Sequence, residues 1–324
     1  MTGLVKGALL AIGWLAAGLT AAFGEPYPSR SVRIVVPFAP GGPTDIVARR
    51  IADRLQRDLG KPFIVDNRPG GATMIGAETV MRAVPDGYTI LCGTSTTFTL
   101  APSLYQDRHF DPRATLVPIV IAVETPLVMV SSNVTGTTTF AAFLSYARAN
   151  PGRLSFASVG PGTISHLVGE VLKDSTGIDI EHVPYKGSAP AVTALVSGEV
   201  AMMFDQLGSV LPFIRSGQVQ PLAVAAPRQY SDLPGVPTTV EVGLPALTRT
   251  IWTAFAAPAG TPAETVDLLN REINRALSDP ALATSFAESG SFVVGGSPEH
   301  FRETWYSDEA FWTDAVTRLG IRLQ

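Results

Sequence analysis

The sequence has little of what most enzyme and metal sites are built from. Its one cysteine, Cys92, stands in an apolar run that predicts a buried strand, and a single cysteine forms no internal disulfide. The histidines lack the H-x-x-x-H spacing of metal ligands; they are His109, His166, His182 and His300. A G-x-S-x-G nucleophile elbow is absent as well. We therefore expect no metal, no cofactor and no catalytic residue.

Charged residues are also sparse, at 16% of the chain, and the formal net charge is -4. A protein without a basic excess does not attract a polyanion, so we expect neither nucleic acid nor an anionic membrane surface as a partner. Hydrophobic residues make up 46% of the chain, which is typical of a globular α/β protein.

The first residues predict an export signal. Lys6 precedes an apolar run that continues to Phe23 and ends in small residues, so we expect residues 1–24 to be a signal peptide. A transmembrane anchor is the alternative, because the uncharged stretch is almost long enough to span a bilayer. After removal of the signal, about 300 residues remain, which is more than one hydrophobic core usually holds. The mature chain therefore predicts two domains.

From Val32 onward, short apolar strands alternate with helical patterns, which predicts parallel sheets flanked by helices. The predicted strands are 32–37, 63–66, 88–92, 116–123, 127–131, 154–158, 180–184, 200–204, 219–225 and 251–256. The predicted helices are 46–59, 72–83, 139–149, 163–175, 189–197, 208–216, 262–278 and 298–319. Asp279-Pro280 is interpreted as a turn.

Two apolar crossings predict how the domains are joined. Residues 119–129, interrupted at Glu124-Thr125-Pro126, carry the chain out of the first domain, and residues 222–227 bring it back. Domain 1 is expected to comprise residues 25–124 plus 227–324, and domain 2 residues 125–226. Two extended connectors of this kind make a hinge with a cleft beside it.

Two glycine-bearing turns between a strand and a helix are the strongest functional signal. The start of a helix presents unpaired amides and the positive end of its dipole, which together favour an anion. The sequence therefore predicts a cleft for a small carboxylate. The candidates in the first turn are Phe38, Ala39, Gly41, Gly42, Thr44 and Asp45, and those in the second are Ser158, Gly160, Gly162, Thr163 and His166.

Some of these candidates have a second interpretation. Asp45 is expected to cap the helix rather than contact a ligand, and His166 to tie two segments together rather than donate to an acid. Thr94 and Ser95 follow a predicted strand, where ordinary turn chemistry is the alternative. Asp205 also ends a strand and accepts either from a ligand or from nearby amides.

The chain resembles the extracytoplasmic solute receptors of the tripartite tricarboxylate transporters, the Bug family. Seven ordered motifs carry the resemblance: VVPFAPGGPTD at 35–45, NRPG at 67–70, PDGY at 85–88, HVPYKG at 182–187, MFD at 203–205, VPT at 236–238 and FAAPAGTP at 255–262. The resemblance implies two Rossmann-like α/β domains joined by a two-strand hinge, as in type II periplasmic binding proteins. It also implies that two loops, here residues 38–45 and 158–166, hold the carboxylate of the ligand.

Two departures from the family pattern bear on the ligand. Gly70-Gly71-Ala72-Thr73 stands where Gly-Ala-Gly-Gly is usual, which reduces backbone freedom at that point. Ile164 stands where a small hydroxylic residue is common, which favours a smaller or partly apolar acid over citrate.

The expected function is that of a monomeric periplasmic receptor. It would bind a small organic acid by closing two domains and pass the acid to membrane transporter subunits. The alternatives are a receptor that senses the acid for a signalling partner, and an exported enzyme that uses Ser158, His166 and Asp205.

Overall fold

The computed structural model describes residues 26–104, 111–226, 229–230 and 232–321. The predicted signal peptide, residue His109 and the end of the second predicted connector at Pro227 lie outside these ranges.

Within these ranges the chain forms ten strands: β1 Val32–Val36, β2 Phe63–Asn67, β3 Thr89–Thr94, β4 Leu116–Ser132, β5 Leu154–Ser158, β6 Ile180–Pro184, β7 Met202–Gln206, β8 Val219–Ala225, β9 Thr250–Pro258 and β10 Phe292–Val293. The helices are α1 Pro43–Leu59, α2 Met74–Met81, α3 Ala101–Leu104, α4 Pro112–Thr115, α5 Phe140–Ala149, α6 Ile164–Thr176, α7 Ser188–Ser197, α8 Leu207–Arg215, α9 Ala263–Leu277, α10 Pro280–Glu288 and α11 Pro298–Leu319. Single turns lie at Gly71–Thr73, Asn133–Thr135 and Pro245–Leu247, and a π-helical turn at Thr96–Leu100.

All strands join one curled sheet in the order β2-β1-β3-β9-β4-β7-β5-β6, with β8 and β10 also paired to β4. Strand β1 is parallel to β2 and β3, and β5 is parallel to β6 and β7. Strand β9 is antiparallel to both β3 and β4. The predicted α/β fold class is confirmed.

Strand β4 is the connection between two halves of this sheet. Its residues 116–126 pair with β9, and its residues 127–132 pair with β7 and β8. We call β1–β3, β9, β10 and residues 116–126 the first half, and β5–β8 and residues 127–132 the second half.

The predicted interruption of β4 at Glu124-Thr125-Pro126 is wrong. These residues pair with Trp252, Ile251 and Thr250 of β9, so the strand is continuous through them. Pro126 has no amide hydrogen to donate. The strand tolerates it because Pro126 lies where the pairing of β4 changes from β9 to β7 and β8.

Helices cover both faces of each half. In the first half, Val47, Ile51 and Leu55 of α1 pack with Leu269 and Ile273 of α9 on one face, since apolar residues recur every three to four positions. The opposite face carries α2 and the start of α11. Cys92 is fully buried in β3, as predicted, and burial raises the pKa of its thiol.

The C-terminal helix α11 contacts both halves. Phe301 and Trp305 pack with Phe98 in the first half, whereas Trp312 packs in a cluster with Leu167 of the second half. Residues 232–247 lie against the second half as well, through Leu233, Val236 and Leu247. The domain boundaries stay a prediction, and this packing favours a return point later than residue 227.

Among the helices that the structure describes, none is both long and apolar enough to cross a membrane.

Candidate functional site

The two glycine-bearing turns occupy equivalent places in the two halves of the sheet. The first glycine loop, residues 38–42, connects β1 to α1, and the second glycine loop, residues 159–163, connects β5 to α6. Strands β1 and β5 are each flanked by two parallel neighbours. Each loop therefore leaves the carboxyl edge of a parallel strand group, which is where α/β sheets bind ligands.

In the first glycine loop, the carboxylate of Asp45 holds the turn together. Its Oδ2 accepts from Gly41 N and from Arg49 Nε, both at 2.9 Å, and its Oδ1 accepts from Asn67 Nδ2 at 3.0 Å. Asn67 Nδ2 also donates to Phe38 O at 3.0 Å. Burial opposes ionisation of Asp45, but the hydrogen bonds from Arg49, Gly41 and Asn67 outweigh it and lower the pKa. Asp45 is thus a structural residue of the loop.

The predicted donor Gly41 N is therefore used inside the loop, where the backbone of Gly41 has a left-handed φ of 84°. The amides of Gly42, Thr44 and Asp45 find no acceptor within the described part of the chain. Gly42 is the N-cap, with φ -79° and ψ 170°, and Pro43 follows it at the first helical position. Ala39 is exposed in the loop.

In the second glycine loop, side chains of the protein accept hydrogen bonds from the amides that were predicted to bind a ligand. Gly160 N donates to Ser158 Oγ at 3.3 Å, and Gly162 N donates to His166 Nδ1 at 3.1 Å. Thr163 caps α6: its Oγ1 accepts from His166 N at 3.4 Å and donates to Gly160 O at 2.7 Å. The network fixes the shape of the loop and leaves other amides without an acceptor among the described residues.

Those other amides are at Ile164 and Ser165, the first two residues of α6, which donate to no group of the described residues. The sequence placed both residues in the second loop but did not single out their amides, because the position of a free amide depends on which residue begins the helix. The side chain of Ile164 is 1% exposed and packs in an apolar cluster. The effect of Ile164 on ligand preference therefore stays a prediction.

Behind the second glycine loop, two imidazole rings stack. The ring centroids of His166 and His182 are 3.9 Å apart, and His182 also stacks on Phe156 at 4.9 Å. His182 Nε2 lies 2.7 Å from Ser158 Oγ. The pKa of both histidines is lowered to about 4: burial is the main cause, Lys173 contributes at both rings, and His166 contributes at His182. Both rings are therefore neutral at pH 7, and His166, which accepts at Nδ1, carries its proton on Nε2.

Asp205 at the end of β7 is 3% exposed and paired within the protein. Its Oδ1 accepts from Gln206 N at 2.7 Å, and its Oδ2 accepts from Ser188 Oγ at the start of α7. Burial raises its pKa to about 6. Because Ser158 contacts His182 and His166 accepts from Gly162, the triad of Ser158, His166 and Asp205 is not assembled.

At the end of β3, Thr94 and Ser95 are 3% and 0% exposed. Thr94 N donates to Thr97 Oγ1 at 3.4 Å, and Ser95 O accepts from Thr99 Oγ1 at 2.7 Å. The Ser95 hydroxyl has no partner among the described residues. Within the described residues, no group of three or more His, Cys, Asp or Glu side chains is placed to hold a metal ion.

A family model described as "Tripartite tricarboxylate transporter family receptor" (TctC) matches residues 47–308. The chain belongs to the tripartite tricarboxylate transporter receptor family. Members of this family are substrate-binding receptors, and the resemblance predicted from the sequence motifs is confirmed.

Three relatives place the chain within the TctC family. Protein BugT of Bordetella pertussis is 35% identical over 321 residues, which cover 99% of this chain and 98% of BugT. The R. palustris protein Rpa4515, solved with adipate, superposes with a TM-score of 0.84 at 33% identity, covering 91% of this chain and 99% of that one. MatC of Rhodopseudomonas palustris, solved with bound malate, superposes with a TM-score of 0.80 at 32% identity, covering 90% of this chain and 100% of MatC.

Proposed function

We propose that this TctC-family protein is a periplasmic solute receptor that captures a small carboxylated solute and delivers it to a tripartite tricarboxylate-type transporter. The observation that carries the proposal is the pair of helix starts with unused amides. Gly42, Thr44 and Asp45 begin α1, and Ile164 and Ser165 begin α6. Each helix adds the positive end of its dipole to these donors, which favours an anion between them.

The remaining candidates line the cleft or hold its loops in shape. Phe38 and Ala39 contribute surface in the first half of the sheet, and Thr94 and Ser95 lie buried beneath it at the end of β3. Gly41, Asp45, Ser158, Gly160, Gly162, Thr163, His166 and Asp205 act through the hydrogen bonds that set the loops. A hydrogen bond to an ionised acceptor contributes about 1.5–3 kcal/mol, so a few free amides suffice for micromolar binding.

Binding proceeds through closure of the two domains, predicted as residues 25–124 with 227–324 against residues 125–226, with the packing of residues 232–247 on the second half favouring a later return point. Strand β4 passes from one to the other without a break, so it acts as one hinge strand. A ligand that bridges both helix starts binds the closed form more tightly, and this difference in affinity shifts the population toward closure.

The protein is a receptor and not an enzyme in this proposal. Ser158, His166 and Asp205 each have a different partner, so the triad that the sequence allowed does not form. Ser158 does lie 2.7 Å from His182 Nε2, but Ser158 is 0% exposed, so its hydroxyl is enclosed by the protein. The neighbours solved with adipate and malate support a carboxylic acid as the ligand class. We further propose that the receptor is monomeric and uses no cofactor.

A thermal-shift and calorimetry series tests the ligand class. Adipate and malate are compared with their neutral diamides, which keep the shape and remove the charge. We expect saturable stabilisation by at least one acid, one site per chain, and none by its diamide. Equal stabilisation by acid and diamide would contradict a site built for an anion.

Delivery is tested separately, in proteoliposomes that contain the membrane subunits of a tripartite transporter. Uptake of the labelled acid should require this protein. Ligand-dependent closure without any uptake would instead support a sensory receptor.

A further inference from the structure

One residue of the first half stands in a backbone conformation that its side chain disfavours. Thr73 has φ 79°, and within the described ranges it is the one non-glycine residue with positive φ. A left-handed conformation crowds the Cβ of any residue other than glycine, and most severely in a β-branched one. Strain of this kind is kept where the surrounding structure over-determines it, which is often at a ligand site.

The side chain of Thr73 carries a second, independent signal. Thr73 is 5% exposed, and its Oγ1 is shielded from solvent and has no hydrogen-bond partner among the described residues. A buried hydroxyl without a partner is destabilising. The Ser95 hydroxyl, on a residue that is 0% exposed, is unpartnered in the same way.

Both hydroxyls lie at the carboxyl edge of the first half. Ser95 directly follows β3, and the turn Gly71–Thr73 contacts the π-helical turn Thr96–Leu100 that begins after Ser95. Gly76, three residues beyond Thr73, lies so close to Pro37 that a Cβ on it would come within 2.7 Å of the Pro37 Cβ. The start of α2 therefore packs beside the end of β1, where the first glycine loop begins.

We propose that Thr73 and Ser95 form a specificity subsite that reads the second polar end of the ligand, and this inference rests on the proposed function. The amides of α1 and α6 hold one carboxylate, and the two hydroxyls donate to the far carboxylate of a dicarboxylic acid. Both hydroxyls are enclosed in this structure, so contact with the far carboxylate requires side-chain rotation that opens each one to the cleft. The bond to the ligand then satisfies donors that are unsatisfied without it.

The test compares two matched pairs of acids by calorimetry. Adipate is paired with hexanoate, and malate with 2-hydroxybutyrate, so that each pair differs in the far carboxylate alone. Wild-type protein should bind the diacid of at least one pair more tightly than its monoacid. T73V, which keeps the shape and removes the hydroxyl, should weaken the diacid about tenfold and leave the monoacid unchanged. S95A should act in the same direction.

Three further variants keep the test decisive. T73S retains the hydroxyl and should preserve the preference for the diacid. T73G removes both the hydroxyl and the strain, so it should fold even if T73V does not, and it should lose the preference while the melting temperature rises. T79V is the control. It removes a hydroxyl on α2 that already donates to Ile75 O, so it should change the affinity for neither the diacid nor the monoacid.

Unchanged diacid affinity in T73V, T73G and S95A would overturn the subsite, and so would an equal loss for both members of a pair. A wild-type protein that binds the monoacids as tightly as the diacids would overturn the subsite and leave the proposed function standing. A wild-type protein that binds none of the four acids would overturn both.

Discussion

The imidazole rings of His166 and His182 lie parallel, 3.9 Å apart and inclined by 14°, behind the second glycine loop. Each ring is tied to the loop by a hydrogen bond that a neutral ring accepts or shares, to Gly162 N in one case and Ser158 Oγ in the other. The shape of the loop is therefore coupled to the protonation of a buried pair.

This pair predicts a pH dependence of stability. The folded-state pKa of each histidine is about 4, below the value of about 6.5 in an unfolded chain. Between these values the unfolded chain binds protons that the folded protein does not. The free energy of unfolding should therefore fall as the pH drops from about 6.5 to about 4, and be level above that window.

Urea unfolding between pH 4 and pH 7 measures this dependence, with His182→Asn as the comparison. Asp205 acts in the opposite direction, because its raised pKa of about 6 makes the folded protein bind a proton. Removal of His182 should reduce the slope of the free energy of unfolding against pH. A slope that is identical in the variant would show that His182 titrates normally.

Ser158→Ala should destabilise the protein by about 1–3 kcal/mol, because it leaves His182 Nε2 and Gly160 N without their buried partner. It should also weaken ligand binding, since the second glycine loop loses a constraint. Ser145→Ala, at an exposed site on α5, is the control and should change neither quantity. Wild-type stability in Ser158→Ala would mean that the network does not hold the loop.

Asp45→Asn keeps the size of the side chain and removes the negative charge of the carboxylate, which accepts hydrogen bonds from Gly41 N and Arg49 Nε. Charge-assisted hydrogen bonds are the stronger ones, so we expect a loss of about 1–3 kcal/mol in the free energy of unfolding. Asp53→Asn, exposed on the same helix, is the matched control. If both variants unfold alike, Asp45 is not what holds the first glycine loop.

Gly208 of α8 packs directly on the backbone of residues 289 and 290, so that a Cβ on Gly208 would lie 2.0 Å from the Ser289 carbonyl oxygen. Gly208→Ala should force the two segments apart at a cost of about 1–3 kcal/mol in stability. It should also shift the ligand affinity, because this contact joins the two halves of the sheet beside Asp205. Ser209→Ala is the control, and calorimetry with urea unfolding gives both readouts.

Much of the fold was predictable from short-range patterns. Strands β5, β6 and β8 have the predicted bounds, because apolar residues between glycine or proline signals define them locally. Strand β10, two residues long, was missed, since it exists only by pairing with Val123 and Glu124 of β4. Asp279-Pro280 was interpreted as a turn, but Asp279 caps α10 by accepting from Ala281 N and Leu282 N.

The positions of the two glycine loops were predictable from the sequence, and the hydrogen bonds within them were not. The two glycine loops stand out in the sequence, and the structure puts both at the carboxyl edges of strands. The amides of Gly41, Gly160 and Gly162 are used by side chains only two to four residues away, those of Asp45, Ser158 and His166. Distant partners hold two of these side chains in place, Asn67 for Asp45 and His182 for Ser158, and such contacts have no local signal in the sequence.

The central claim, that free helix-start amides grip a carboxylate, is tested most directly by one pair of variants at Gly42. The nearest atom to an added Cβ lies 3.8 Å away, so Gly42→Ala fits the loop, and the φ of -79° is one that proline adopts. Proline removes the amide hydrogen and alanine keeps it. Calorimetry with the acid that binds wild-type protein should show Gly42→Pro weaker than Gly42→Ala by about tenfold. Equal affinities in the two variants would contradict the account.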